Sequence, residues 1–120
     1  MSVSSANDNN ASILADIKQM LGGPMSTTDV FDTDIIIWIN SAFTVLTQLG
    51  VGPKTGFSIT GYSEKWTDFI QDAGVLSGAK TYVYMKTKLG FDSSTLSSSV
   101  ITSYEKALQD YEWRLNVAVD

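Results

Sequence analysis

The sequence predicts an all-α fold, a small four-helix bundle with a long loop between the second and third helices in which a short hairpin is allowed. Three observations lead there. Apolar residues recur at three- and four-residue spacing in four segments, clusters of glycine, proline or serine separate those segments, and no internal repeat suggests a longer array. At 120 residues the chain is one domain's worth, and a domain of this size buries only about two thirds of its unfolded surface, so one modest core is expected.

The opening MSVSSANDNN is polar and lacks the basic and apolar stretches of a secretory signal, so residues 1–10 read as a flexible N-terminal arm and residues 11–120 as a single helical domain. Ser12 or Asn10 can cap the first helix, whose Ile13, Ile17, Met20 and Leu21 share one face before Gly22, Gly23 and Pro24 stop it. Thr28, Asp29 and Asp32 compete to cap the second helix, and the acidic ones suit the positive end of its dipole. On a helical period, Asp32 to Gly50 places Ile35, Trp38, Ile39, Ala42, Val45, Leu46 and Leu49 on one side, with Ile36 and Phe43 at the margin. Ile37 falls outside this arc, among Asn40, Ser41, Thr44 and Gln48, where an isolated domain leaves it in water.

Gly50, Gly52, Pro53 and Gly56 then break the chain, and Phe57 to Gly61 is short enough for an extended stretch or a loop edge. Trp66, Phe69 and Ile70 make one apolar turn of helix, opened by Ser63 or Thr67, that folds the long connection back over the core. The third helix runs from about Val75 to Leu89, with Val75, Ala79, Tyr82, Val83 and Leu89 inward and Lys80, Tyr84 and Lys88 exposed on the opposite face. Gly90 ends it. After the serine-rich link Ser93 to Ser99, a fourth helix turns Val100, Tyr104, Ala107, Leu108, Tyr111 and Leu115 inward and Trp113 away from that stripe.

Composition removes several classes of function. The net charge of −5 argues against a main task of holding nucleic acid on a basic surface. The absence of cysteine removes disulfides, thiolate metal sites and cysteine nucleophiles, and the absence of histidine removes the commonest general base and metal ligand. No stretch approaches ~20 uninterrupted apolar residues, so no membrane partner is expected.

Local motifs do not restore chemistry. Gly50 to Gly56 carries Lys54, but Pro53 and Gln48 stand where a phosphate-binding loop needs glycines. Ser58, in Gly56-Phe-Ser-Ile-Thr-Gly61, misses the nucleophile-elbow spacing by one residue and has no histidine to activate it. Asp29, Asp32 and Asp34 lack the glycine and the bidentate glutamate of a calcium loop. Neither an enzyme nor a cofactor is expected. Lys80, Lys86 and Lys88 leave a small helical DNA-binding regulator as the alternative, although no helix joins an exposed basic cluster to base-reading asparagine and glutamine.

Ile37 and Trp113, lying off their stripes, and the ring of Tyr84 point instead to a subunit interface, because aromatic residues away from a small core are enriched where proteins meet. A set of words along the chain then resembles a known family. Phe31-Asp-Thr-Asp34, Ile39-Asn-Ser-Ala-Phe43, Leu46-Thr-Gln-Leu-Gly-Val-Gly-Pro53, Gly56-Phe-Ser-Ile59, Trp66-Thr-Asp-Phe69, Lys80-Thr-Tyr-Val-Tyr84 and Glu112-Trp-Arg-Leu-Asn-Val117 resemble, in order and spacing, the head-tail connector (adaptor, or head completion) proteins of tailed bacteriophages, from roughly Ala11 to Val119. The chain departs from that pattern after Phe91-Asp92, where Ser93-Ser94 stand in place of the expected prolines.

The resemblance implies a structural virion protein at the head-tail neck, assembled from the host cytoplasm. It implies a homo-oligomeric ring beneath the portal, dodecameric in the virion, that extends the DNA channel, helps to retain packaged DNA without reading its sequence, and offers a surface to a downstream stopper or tail protein. A helix with too wide an apolar arc can pack its own bundle with one part and a neighbouring copy with the rest. Ile37, Trp38, Val45 and Tyr84 are therefore the expected subunit-interface residues. Since the C-terminal helix of this family often reaches the portal, Tyr104, Tyr111, Trp113, Arg114 and Val117 are the expected portal-facing ones.

Overall fold

A computed structural model describes residues 11–119 of the chain. The N-terminal arm and the cap offered by Asn10 lie outside the described residues. Helices are the regular elements of the described residues: α1 (Ile13–Leu21), α2 (Asp32–Gln48), the single turn α3 (Trp66–Phe69), α4 (Ala73–Asp92) and α5 (Ser98–Val119), with a 3₁₀ turn at Gly23–Ser26. The expected bundle of four full helices is present, with α3 as the short apolar turn.

Ser12 caps α1, its Oγ accepting from the Ala15 N–H at 3.3 Å. For α2 none of the three expected caps operates. Phe31 holds the cap position, Thr28 Oγ1 accepts from Val30, and the Asp32 carboxylate is turned toward Lys18 of α1. At its far end α2 closes with paired bonds from Val51 N–H to the Leu46 carbonyl (2.9 Å) and from Gly50 N–H to the Thr47 carbonyl (3.0 Å), a geometry that needs the positive φ of Gly50.

The 50–65 connection forms no hairpin, and the described residues contain a single isolated bridge, between Ser12 and Lys65. Its anchors are side chains instead. Asn40 Nδ2 donates to the Ile59 carbonyl at 2.9 Å while its Oδ1 accepts from the Ile59 N–H at 2.7 Å, so one α2 residue satisfies both backbone groups of a buried loop residue. Phe57 and Phe69 pack on Phe43 with ring centroids 4.9 and 4.7 Å away, and α3 is opened by Lys65, whose N–H is accepted by Asp68, rather than by Ser63 or Thr67.

α4 is the central helix, packed against α2, α1 and α5. Asp72 caps it, accepting from the Gly74 and Val75 N–H groups, and it continues to Asp92 instead of stopping at Gly90. Gly90 serves packing: a Cβ at position 90 would lie 2.4 Å from ring carbons of Trp38 on α2, so glycine here sets the approach of two helices. Central placement also overturns the expected exposure of the Lys80, Tyr84 and Lys88 face. Lys80 meets Asp16 of α1, Tyr84 is half-buried against the core, and Lys88 is partly covered beside Asp92. On α5 Leu108 and Leu115 are buried and Tyr104, Ala107 and Tyr111 half-buried, whereas Val100, expected inward, is exposed, as is Met20 of α1.

Candidate assembly surface

Two polar clusters fasten the loop and α1 to the helices behind them. Lys18 Nζ lies 2.7 Å from Asp32 Oδ1 and donates to Tyr62 Oη at 2.6 Å, while the Tyr62 hydroxyl donates to Asp32 Oδ2 at 2.6 Å. Burial opposes both charges, but the hydrogen bonds and mutual attraction outweigh it, lifting the Lys18 amine above its usual range and holding the Asp32 carboxyl below its own. Deeper in, Asp16 Oδ2 accepts from Trp66 Nε1 at 2.8 Å, and Lys80 Nζ sits 3.9 Å from the same oxygen and 5.4 Å from the centroid of the Trp66 ring. There burial dominates and raises the Asp16 carboxyl, against the opposing pull of Trp66 and Lys80.

These contacts also settle the fate of the three lysines offered for DNA. Lys80 is committed to Asp16, Lys88 pairs with Asp92 at 3.0 Å, and Lys86 lines a groove beside Trp38. They do not form a free basic patch.

With the core closed, the described residues that leave large apolar side chains more than half exposed are Val30, at 76% just before α2, Ile37 on α2, and Trp113 and Val117 on α5. On α2, Ile37 is 59% exposed, in a row with exposed Thr33, Asp34, Thr44 and Gln48. α5 has two sides: Leu108 and Leu115 enter the core, and Trp113 and Val117, on nearly the opposite side of the helix, are 67% and 51% exposed. Arg114 stands beside them, its Nε 3.1 Å from Asp110 Oδ2 in an exposed pair of a kind that contributes under about 1 kcal/mol.

The remaining residues singled out from the sequence take part in the protomer's own packing. The ring of Trp38 lies against Gly90, and Val45 and Tyr111 pack half-buried on the core. Tyr84 and Tyr104, both half-buried, are near enough for Tyr104 to act electrostatically on the Tyr84 phenol, which burial pushes up. The Tyr82 hydroxyl donates to Glu112 Oε2 at 2.7 Å and Asn116 Nδ2 to the Leu49 carbonyl at 3.0 Å, tying α5 to α4 and to the end of α2.

Sequence reasoning did not anticipate two grooves along α5. One, of about 270 Å³, lies between the start of α4 and the end of α5 and is lined by Gly74, Val75, Gly78, Tyr111, Arg114, Leu115 and Ala118. The other, of about 250 Å³, is lined by Trp38, Lys86, Leu89, Gly90, Ser93, Ile101 and Glu105. Their signal was present in the glycines inside α4, which remove side chains where another helix crosses. No helix among the described residues is long and apolar enough to cross a membrane.

Comparison with curated proteins and with solved structures returned no match. A family model described as phage connector protein matches residues 13–120, a span that takes in all five helices and both exposed faces. The chain therefore belongs to the phage connector protein family, with the structural role of a head-tail connector in the phage virion.

Proposed function

We propose that copies of this chain form a ring beneath the portal at the capsid vertex, dodecameric in the virion, which extends the DNA channel, helps to retain the packaged genome and presents its far side to a stopper or tail protein. The exposed face of α2 around Ile37 meets the neighbouring copy, the outer side of α5, with Trp113 and Val117, faces the portal, and Arg114 lies at the edge between the two contacts. Trp38, Val45, Tyr84, Tyr104 and Tyr111 support these faces from behind.

The observation that carries this reading is apolar surface left over on a protomer whose core is already closed: Ile37, Trp113 and Val117 are each more than half exposed. Covering an exposed tryptophan removes about 150 Å² from water, or about 4 kcal/mol before ordering costs, enough to make it an anchor of an interface. Family membership supplies the setting, a phage neck where such chains join head to tail. The net charge of −5 suits a channel along which DNA slides, with repulsion reaching about 10 Å at ordinary salt.

Co-sedimentation with purified portal rings tests the two faces separately. Trp113→Asp is expected to abolish sedimentation with the portal. Ile37→Asp is expected to leave bound protomers that no longer close a ring, and both variants should keep the wild-type helical circular dichroism. Wild-type binding and ring closure by both folded variants would remove the proposal's support.

A further inference from the structure

We propose that the groove between the start of α4 and the end of α5 receives Ile37 of the next copy, with that copy's Asp34 paired to Arg114 at the rim. This rests on the ring reading above and names the acceptor surface within it.

Shape is the first argument. Gly74 and Gly78 bring no side chain to the groove, and Leu115 and Ala118 form apolar walls around about 270 Å³, room for a branched aliphatic side chain. A Cβ at Gly78 would come within 3.2 Å of Leu115 Cδ2, so the glycine keeps this wall of the groove clear.

Charge is the second, and it chooses between the two grooves. Asp34 stands one helical turn before Ile37, exposed and without an ion pair among the described residues. Any groove that takes Ile37 must therefore also accept a carboxylate. The α4–α5 groove offers Arg114, whose pair with Asp110 is solvent-exposed and readily exchanged. The groove at Trp38 has Lys86 on its rim, but Glu105 belongs to its lining and would repel the incoming acid, whereas Asp110, the present partner of Arg114, is not part of the α4–α5 lining. Trp113 of the same chain cannot fill the α4–α5 groove, because it projects from the outer side of the helix whose inner side forms the wall.

Position is the third. Donor and acceptor are different patches, one on α2 and the other across α4 beside α5, so the contact is heterologous and repeats from copy to copy until a rotation closes it.

The sequence contains no cysteine, so introduced thiols report only on the positions chosen. The double variant Ile37→Cys/Ala118→Cys, bound to portal rings and mildly oxidised, is expected to give a ladder of covalent multimers, while each single variant gives none beyond a dimer. Portal-bound double variant that yields only dimers, or nothing above the single variants, overturns the groove assignment and leaves the ring reading intact. Failure of the wild-type protein to form rings on the portal overturns both. A charge swap gives an independent readout should the thiols disturb assembly. Asp34→Arg and Arg114→Asp should each reduce ring formation at least tenfold and together restore it, and a double variant as defective as the singles counts against the pairing.

Discussion

The 50–65 connection is held to the bundle by Asn40, and Asn40→Ala measures how firmly. The substitution removes two hydrogen bonds, of 2.7 and 2.9 Å, to the backbone of Ile59, a residue only 1% exposed, so its N–H and carbonyl are left without their partner. Leaving a buried polar group unpaired costs about 1–3 kcal/mol, and with some relief from water the pair should cost about 2–4 kcal/mol in total. For 120 residues an unfolding entropy of about 0.25 kcal/mol/K converts this to a fall in Tm of about 8–16 °C. Thermal unfolding followed by circular dichroism reads the fall, and limited trypsin digestion should show faster cutting at Lys54. Gln48→Ala, on the exposed side of the same helix, should change stability by no more than about 0.5 kcal/mol. If Asn40→Ala melts within about 2 °C of wild type with no faster cutting at Lys54, the loop is anchored by its aromatic contacts and the reasoning about Asn40 is wrong.

Three other outcomes follow from the packing and the polar clusters. Asp16→Leu leaves Trp66 Nε1–H buried without an acceptor and should cost about 1–3 kcal/mol by urea unfolding, whereas Asp16→Asn keeps an acceptor and should cost clearly less; equal losses would mean the bond contributes nothing. Gly90→Ala should lose stability despite a gain of about 1 kcal/mol in helix propensity, since overpacking against Trp38 costs about 1–3 kcal/mol, and a double-mutant cycle with Trp38→Ala should show coupling near 1 kcal/mol; Gly61→Ala, whose Cβ meets nothing, should be close to neutral. For Asp32, burial is outweighed by Lys18 and Tyr62, so its carboxyl titrates below the ordinary 3.8 in the folded chain; its contribution is complete above that value and disappears as the pH falls through the lower folded one, and Asp32→Asn should flatten this limb of the stability–pH curve.

What the sequence allowed one to read depended on the range of the interaction. α1, α2 and α5 follow from local spacing of apolar residues, and Ser12 as a cap from its place before Ile13. Ile37 and Trp113 stand out on their own helices because they break a local period, and both are exposed in the folded protomer. Gly90 reads as a helix stop because a glycine that ends a helix and a glycine that admits a tryptophan from another helix look alike in sequence. The partly covered settings of Lys80 and Tyr84 escape a helical wheel for a related reason. A two-sided wheel suits a helix with one covered face, and α4 is covered from several directions. Nothing local signals that Asn40 reaches Ile59 or that Lys18, Asp32 and Tyr62 converge, since those partners are brought together only by the finished fold. The grooves along α5 are products of the same long-range crossing.

Hydroxyl-radical footprinting read by mass spectrometry compares the free protein with the assembled neck, residue by residue. Ile37 and Trp113 are expected to oxidise readily in the free protein and to be shielded in the assembly, with Trp66, already fully buried, unreactive in both. Equal oxidation of Ile37 and Trp113 in the two states would contradict the claim that these faces join copies of the chain to one another and to the portal.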